Sequence, residues 1–169
     1  VQAPTTNTFT GIVVHSALAP AGAFQCSNDL FNHIYSNMLW SVRANTFDIP
    51  TDCDQRNERM GWCDGTEVMR SGMFMMQDES FYSKWYQDMV DGKLDATTFP
   101  QMAPVSNQGF GFSSGWADCG VIVPYLVYQN YGNLRLASRF YEDMQSHLQH
   151  YALTAKNYIG QSGSYGDWL

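Results

Sequence analysis

Apolar residues recur at helical spacing along most of the chain. In CSNDLFNHIYSNMLWSVRANTF, Leu30, Ile34, Met38 and Val42 fall four apart, with Phe31, Tyr35 and Leu39 beside them. This predicts a broadly apolar helix over about residues 28–45, opened by Ser27 as N-cap. From about Gly65, TEVMRSGMFMM places Val68, Met69, Met73 and Met76 on one helical side. In DESFYSKWYQDMVDGK, Phe81, Trp85 and Met89 recur every four residues behind Asp78, a candidate cap. WADCGVIVPYLVYQNYG reads as a buried helix that Pro124 bends unless the proline sits in its first turns. NLRLASRFYEDMQSHLQHYALTA reads as one long amphipathic helix with a stripe of Leu136, Phe140, Met144, Leu148 and Tyr151.

Other segments break this pattern. TFTGIVVHSAL, Thr8 to Leu18, is β-branched and partly alternating, and predicts one strand whose partners lie elsewhere. DIPTDCDQRNERMG is irregular, with Pro50 biasing Ile49 away from helix. Residues 94–114 are rich in Pro, Gly and Ser and predict a long loop of the kind that is often functional. One strand and about five helices give a mainly α chain, a helical bundle or barrel. These helices are apolar around most of their circumference, and five of them cannot bury every face. The chain is therefore expected to be a piece of a larger protein, or one chain of a processed or split one.

Composition narrows the class. Hydrophobic residues make up 44% and charged residues only 15%, so a folded chain is expected rather than a disordered one. Aromatics reach 15%, which suits either a large aromatic core or a surface that stacks on sugar rings. A formal charge of −7 with no basic run disfavours nucleic acid. No window is long and apolar enough for a membrane span. VQAPTTNTFTGIVVHS has no basic region followed by an apolar one, which leaves localisation open, and a secreted or extracellular setting fits. Cys26, Cys53, Cys63 and Cys119 form no CxxC pair and the four histidines are scattered, so neither zinc nor another metal is expected. Free thiols are the default, with a Cys53–Cys63 disulfide as the alternative.

The charge that exists is concentrated in PTDCDQRNERMGWCDGTE, Pro50 to Glu67. Glycoside hydrolysis in its usual form needs two carboxyl groups flanking the scissile bond, one with a raised pKa to act as acid. Asp52 and Glu58 around Arg56, with Trp62 as a stacking face, could supply part of such a site. A salt-bridge knot on a loop explains the same spacing.

The residues PTDCDQRNERMGW resemble the signature of the inverting α-L-rhamnosidases, whose catalytic domain is an (α/α)6 barrel. FYSKWYQDMVDGK, FPQMAP, GWADCGVIVPYLVYQNYGN and YGDWL resemble successive blocks of that family in the same order. GIVVHSAL through TFDIPTDC resembles the passage from a preceding β-domain into the first barrel helix. The resemblance implies a partial six-hairpin barrel over residues 23–169, preceded over 1–22 by a linker and a strand of an adjoining β-domain. It implies Glu58 as the general acid and Asp52, Arg56 and Asn57 as contacts to rhamnose hydroxyls. Trp62, Trp116 and Trp168 would be aromatic walls around the deoxysugar, with a place in the core as the alternative for Trp116 and for Trp168, and no cofactor is implied. The substrate would be a rhamnose-containing glycoside or polysaccharide. The catalytic base would lie in the second half of the barrel, since none of Glu67, Glu79 or Glu142 falls in a matching block.

Two departures stand out. The family follows its tryptophan with Thr-Gly-Asp, whereas this chain has Cys63-Asp64-Gly65, so Asp64 must reach the sugar from one position earlier if that contact is kept. Asp54 replaces a proline and adds a charge that would raise the pKa of Glu58 if it lay within about 6 Å. A non-catalytic carbohydrate-binding or structural descendant of the family is the alternative reading, and a changed glycoside specificity a third.

Overall fold

The computed structural model describes residues 3–53, 60–105 and 112–161. Six helices dominate: α1 (Asp29–Ala44), α2 (Thr66–Met75), α3 (Glu79–Asp91), α4 (Cys119–Tyr131), α5 (Arg135–Arg139) and α6 (Tyr141–Thr154). Between α1 and α2, among the described residues, lie a minimal antiparallel hairpin, β1 (Thr46–Phe47) and β2 (Ile49–Pro50), and a 3-10 turn, Cys63–Gly65. The hairpin turns at Asp48, which takes φ of 65°. An Asp side chain tolerates that left-handed conformation better than most.

The first helix begins one residue later than expected. Asn28, not Ser27, caps it, with Oδ1 accepting the Leu30 N–H at 3.0 Å. The reason is local. Asn32 exchanges two 2.9 Å hydrogen bonds with the backbone of Cys26, which fixes the preceding turn and leaves Ser27 outside the helix.

The core forms where α3 meets α4. Phe81, Tyr82, Trp85, Tyr86 and Met89 of α3 are buried, so its apolar face is wider than a single four-residue stripe. Trp85 satisfies its indole N–H on the Ala103 carbonyl at 3.1 Å, as a buried tryptophan must. Helix α4 is apolar on all sides, which suits an element surrounded by others. It contacts α2, α3, α5 and α6. Pro124 lies within α4 and has no N–H to give to the Gly120 carbonyl one turn earlier. That carbonyl instead accepts the Tyr86 hydroxyl at 2.8 Å, so the proline's deficit becomes a helix–helix tie. The helix ends on Gly132 at φ of 68°, a left-handed C-cap.

Thr8–Leu18 joins no ladder among the described residues, and the partners expected for it lie elsewhere. Near its end the Ser16 N–H reaches the Thr46 carbonyl at 2.7 Å, Ser16 Oγ accepts from the Asp48 N–H at 2.9 Å, and Leu18 packs against the core. The following residues run beside the end of α2 through a Pro20–Met76 bridge. Several expectations are corrected. Val68 turns away from Met69 and Met73, and is 41% exposed. Asp78 precedes α3 but makes no capping bond with its side chain, which faces Tyr131 instead. The long final helix is two, interrupted at Phe140 with φ −114° and ψ 24°. That break shifts the buried face by one residue: His147 is fully buried and Leu148 is 55% exposed. Of the two cysteine readings, the Cys53–Cys63 disulfide is the one that does not form.

The segment expected to be a loop is partly core. Asp95 Oδ1 accepts both N–H and hydroxyl of Thr97 and of Thr98, a local cluster that holds its carboxyl at about 2 despite the opposing effect of burial. Phe99, Gln101, Met102 and Ala103 are then buried.

Candidate active site

The charged stretch is fixed at both described ends. On its N-terminal side, the Thr51 N–H donates to the Asn45 carbonyl at 2.9 Å and the Thr51 hydroxyl to Asn45 Oδ1 at 3.2 Å, which ties the run into Asp52 to the end of α1. On its C-terminal side, Gly61–Cys63 pairs with Gln101–Ala103: the Cys63 N–H donates to the Gln101 carbonyl at 2.9 Å and the Ala103 N–H to the Gly61 carbonyl at 2.8 Å. Two motifs far apart in sequence, MGW and FPQMAP, are thereby one bridge centred on Trp62 and Met102. A side chain at position 61 would put its Cβ 2.2 Å from the Ala103 oxygen and 2.5 Å from Trp85 Nε1. Only glycine permits this approach.

A cleft of about 260 Å³ opens between these anchors. Asp52, Trp62 and Asp64 line it, together with Asn45, Thr51 and Pro50. Glu67 and Val68 of α2 and Tyr82 of α3 complete the wall. Asp52, Asp64 and Glu67 are exposed, and Trp62 is half-buried. The arrangement offers an aromatic face beside three carboxylates, which suits hydrogen bonding to a polyhydroxylated ligand with one apolar face. The 3-10 turn Cys63–Gly65 is what presents Asp64. Cys63 is buried with its thiol against the Pro100 carbonyl at 3.5 Å, while Asp64 points to the open side.

Of the residues singled out from sequence, Asp52, Trp62 and Asp64 converge on this cleft. Trp116 is half-buried, packs against the main core, and does not line it. Arg56, Asn57, Glu58 and Trp168, and with them Asp54, lie outside the described residues. Tyr82 and Glu67 line the cleft without having been foreseen as ligand contacts. Tyr82 follows Phe81 in an aromatic helix and gives no sign of facing a cavity. Glu67 sits two residues past the altered turn, and its proximity to Asp64 was the available clue. Among the described residues no cluster of His, Cys, Asp and Glu could hold a metal, and no helix is long and apolar enough to cross a membrane.

The family model for the bacterial alpha-L-rhamnosidase six-hairpin glycosidase domain matches residues 19–169. The chain belongs to this family. An alpha-L-rhamnosidase of Formosa agariphila is 33% identical over 169 residues, which is 99% of this chain and 18% of that protein. One from Streptomyces avermitilis is 31% identical over 168 residues, 98% of this chain and 16% of the relative. The chain thus spans less than a fifth of the length of these relatives. Among solved structures, the alpha-L-rhamnosidase from Dictyoglumus thermophilum superposes with a TM-score of 0.90 at 31% identity over 99% of this chain and 19% of the other. The Streptomyces avermitilis alpha-L-rhamnosidase, solved in complex with L-rhamnose, superposes with a TM-score of 0.91 at 28% identity, over 99% of this chain and 16% of the other. The mainly helical architecture is therefore part of a six-hairpin glycosidase barrel, as the sequence blocks implied.

Proposed function

We propose that this chain supplies the acid-bearing wall of an inverting α-L-rhamnosidase that removes terminal α-L-rhamnose from glycosides or polysaccharides. The observation that carries the reading is the convergence of Asp52, Trp62 and Asp64 on one cleft, in a chain that belongs to the rhamnosidase family. Glu58 is the proton donor to the leaving oxygen. Asp52, Arg56 and Asn57 hold the sugar hydroxyls. The base that activates water comes from elsewhere in the barrel, since an inverting pair stands about 6.5–9.5 Å apart across the sugar. The placement of Asp64 on the cleft supports a pocket that keeps its carboxylate through the Cys63-Asp64-Gly65 turn rather than losing it. Trp62 offers its indole to the apolar face and methyl group of the deoxysugar. Residues 1–22 serve as the link from a β-domain, and 23–169 belong to the barrel.

The test is a proton NMR time course of an aryl α-L-rhamnoside with the full-length protein. The expected first product is β-L-rhamnose, appearing before mutarotation. First formation of the α-anomer would overturn the inverting mechanism. Binding of rhamnose without turnover would assign the protein to the non-catalytic reading instead. Cleavage of a different aryl glycoside in preference would move the specificity.

A further inference from the structure

Trp62, on the cleft, and Trp116, packed on the core outside it, sit on separate turns, and a series of buried polar contacts runs from one turn to the other. Trp62 lies on the segment paired with Gln101–Ala103. Two residues before Gln101, the Phe99 N–H points to Nδ1 of His147 at 3.4 Å. An imidazole that accepts at Nδ1 carries its proton on Nε2 when neutral. That Nε2 faces Asp118 Oδ1 at 3.7 Å, longer than a hydrogen bond and close enough for electrostatic attraction. The same Oδ1 accepts the Tyr151 hydroxyl at 2.5 Å, and Oδ2 accepts the Gly115 N–H at 3.0 Å. Gly115 has φ of 88° and immediately precedes Trp116. The carboxylate therefore closes the very turn that carries Trp116 and fastens it to α6.

The surroundings leave these contacts no substitute. His147 is fully buried, and its ring is held edge-on by Phe99, Phe112 and Tyr151 at centroid distances of 5.3, 5.6 and 5.3 Å. His147 facing Asp118, with the Tyr151 and Gly115 donors, holds that carboxyl below its usual range against the effect of burial, so it stays an acceptor.

We propose that Asp118 and His147 are positioning residues that set the Trp116 turn relative to the Trp62 segment, and so hold the Trp62 side of the cleft in place. This rests on the rhamnosidase reading for its consequence in catalysis, but the positioning itself is readable without any sugar. The experiment uses the full-length protein labelled with 5-fluorotryptophan, with the Trp116 resonance assigned by its loss in Trp116→Phe. In Asp118→Asn, which keeps the shape but leaves the Tyr151, His147 and Gly115 donors only one good acceptor, that resonance should move and its H2O/D2O isotope shift should rise. His147→Phe, which keeps the ring packing and removes both nitrogens, should do the same. With an aryl α-L-rhamnoside, both variants should raise KM at least fivefold with kcat within twofold. Asp143→Asn, which breaks a different tie between α6 and Lys93, should leave KM and the resonance unchanged. A Trp116 resonance unchanged in Asp118→Asn overturns the proposal whatever the activity. So does a change in Asp118→Asn that His147→Phe fails to reproduce, or an equal effect of Asp143→Asn. A moved resonance in a protein whose wild type cleaves no rhamnoside upholds the positioning and removes the rhamnosidase reading alone.

Discussion

Gly61 shows how one missing side chain holds the site together. The Cβ of an alanine there would meet a backbone oxygen that cannot swing aside, 2.2 Å away. Gly61→Ala is expected to destabilise the protein by about 1–3 kcal/mol and to displace Trp62, which urea unfolding and the KM for an aryl rhamnoside would both register. Stability and KM equal to wild type would show that the bridge to Ala103 is not needed. Asp78 makes a different point. Its carboxyl is 2% exposed, and burial pushes it up to about 6 even though the Tyr131 hydroxyl donates to it at 2.8 Å. An acid with a higher pKa folded than unfolded favours the folded state fully only below its unfolded value of about 4, and that contribution is lost as pH rises through about 6. Two units correspond to on the order of 3 kcal/mol. Asp78→Asn, which still accepts from Tyr131, should therefore gain stability relative to wild type between pH 4 and pH 7.5, measured by urea unfolding at each pH. A difference independent of pH would contradict this. Asp52, Trp62 and Asp64 were singled out by the resemblance of their motif to the rhamnosidase signature, since their spacing alone suits a salt-bridge knot as well; the structure adds that they line one cleft. Tyr82 and His147 were not singled out, because a polar-tipped ring inside an apolar helix looks the same whether it meets a core, a cleft or a buried partner.

At the scale of elements, spacing identified α1 and α3 well because each carries apolar residues in phase along its length, and α4 stood out as a nearly continuous apolar run. Spacing failed at α5 and α6. A single residue out of helical geometry at Phe140 advances the phase, so the stripe through Leu148 passes to solvent and His147 takes the interior position. Periodicity assumes an unbroken helix and has no means to detect such a step. The segment 94–105 is the loop its composition predicts, with no helix or strand, but its burial goes with backbone pairing to Gly61 and Cys63, which are distant in sequence and which composition does not reveal. Pro124 connects the two helices of the core more directly. Tyr86→Phe removes the donor to the Gly120 carbonyl and leaves a buried acceptor unpaired, at a cost of about 1–3 kcal/mol. Pro124→Ala supplies the missing N–H from within α4. The penalty for Tyr86→Phe should shrink in a Pro124→Ala background, and a double-mutant cycle by denaturant unfolding measures the difference. Strict additivity would show that the hydroxyl does not stand in for the helix bond.

At the scale of the molecule, α1 still presents Leu30, Phe31, Ile34 and Trp40 outward, each about half exposed or more. Faces of that kind are covered in a larger assembly, in keeping with relatives more than five times the length of this chain. On the proposed function, the chain's share of the reaction is one wall: a cleft of about 260 Å³ bordered by Asp52, Trp62 and Asp64, with Glu58 as the proposed proton donor. The most direct measurement compares Glu58→Gln with wild type in the full-length protein on two rhamnosides, one with a poor alkyl leaving group and one with an activated dinitrophenyl group. A general acid matters only where the leaving oxygen needs a proton. The account predicts that kcat/KM for the alkyl rhamnoside falls by about 10² or more, while the dinitrophenyl rhamnoside loses far less. Equal losses on both substrates, or no loss on either, would contradict it.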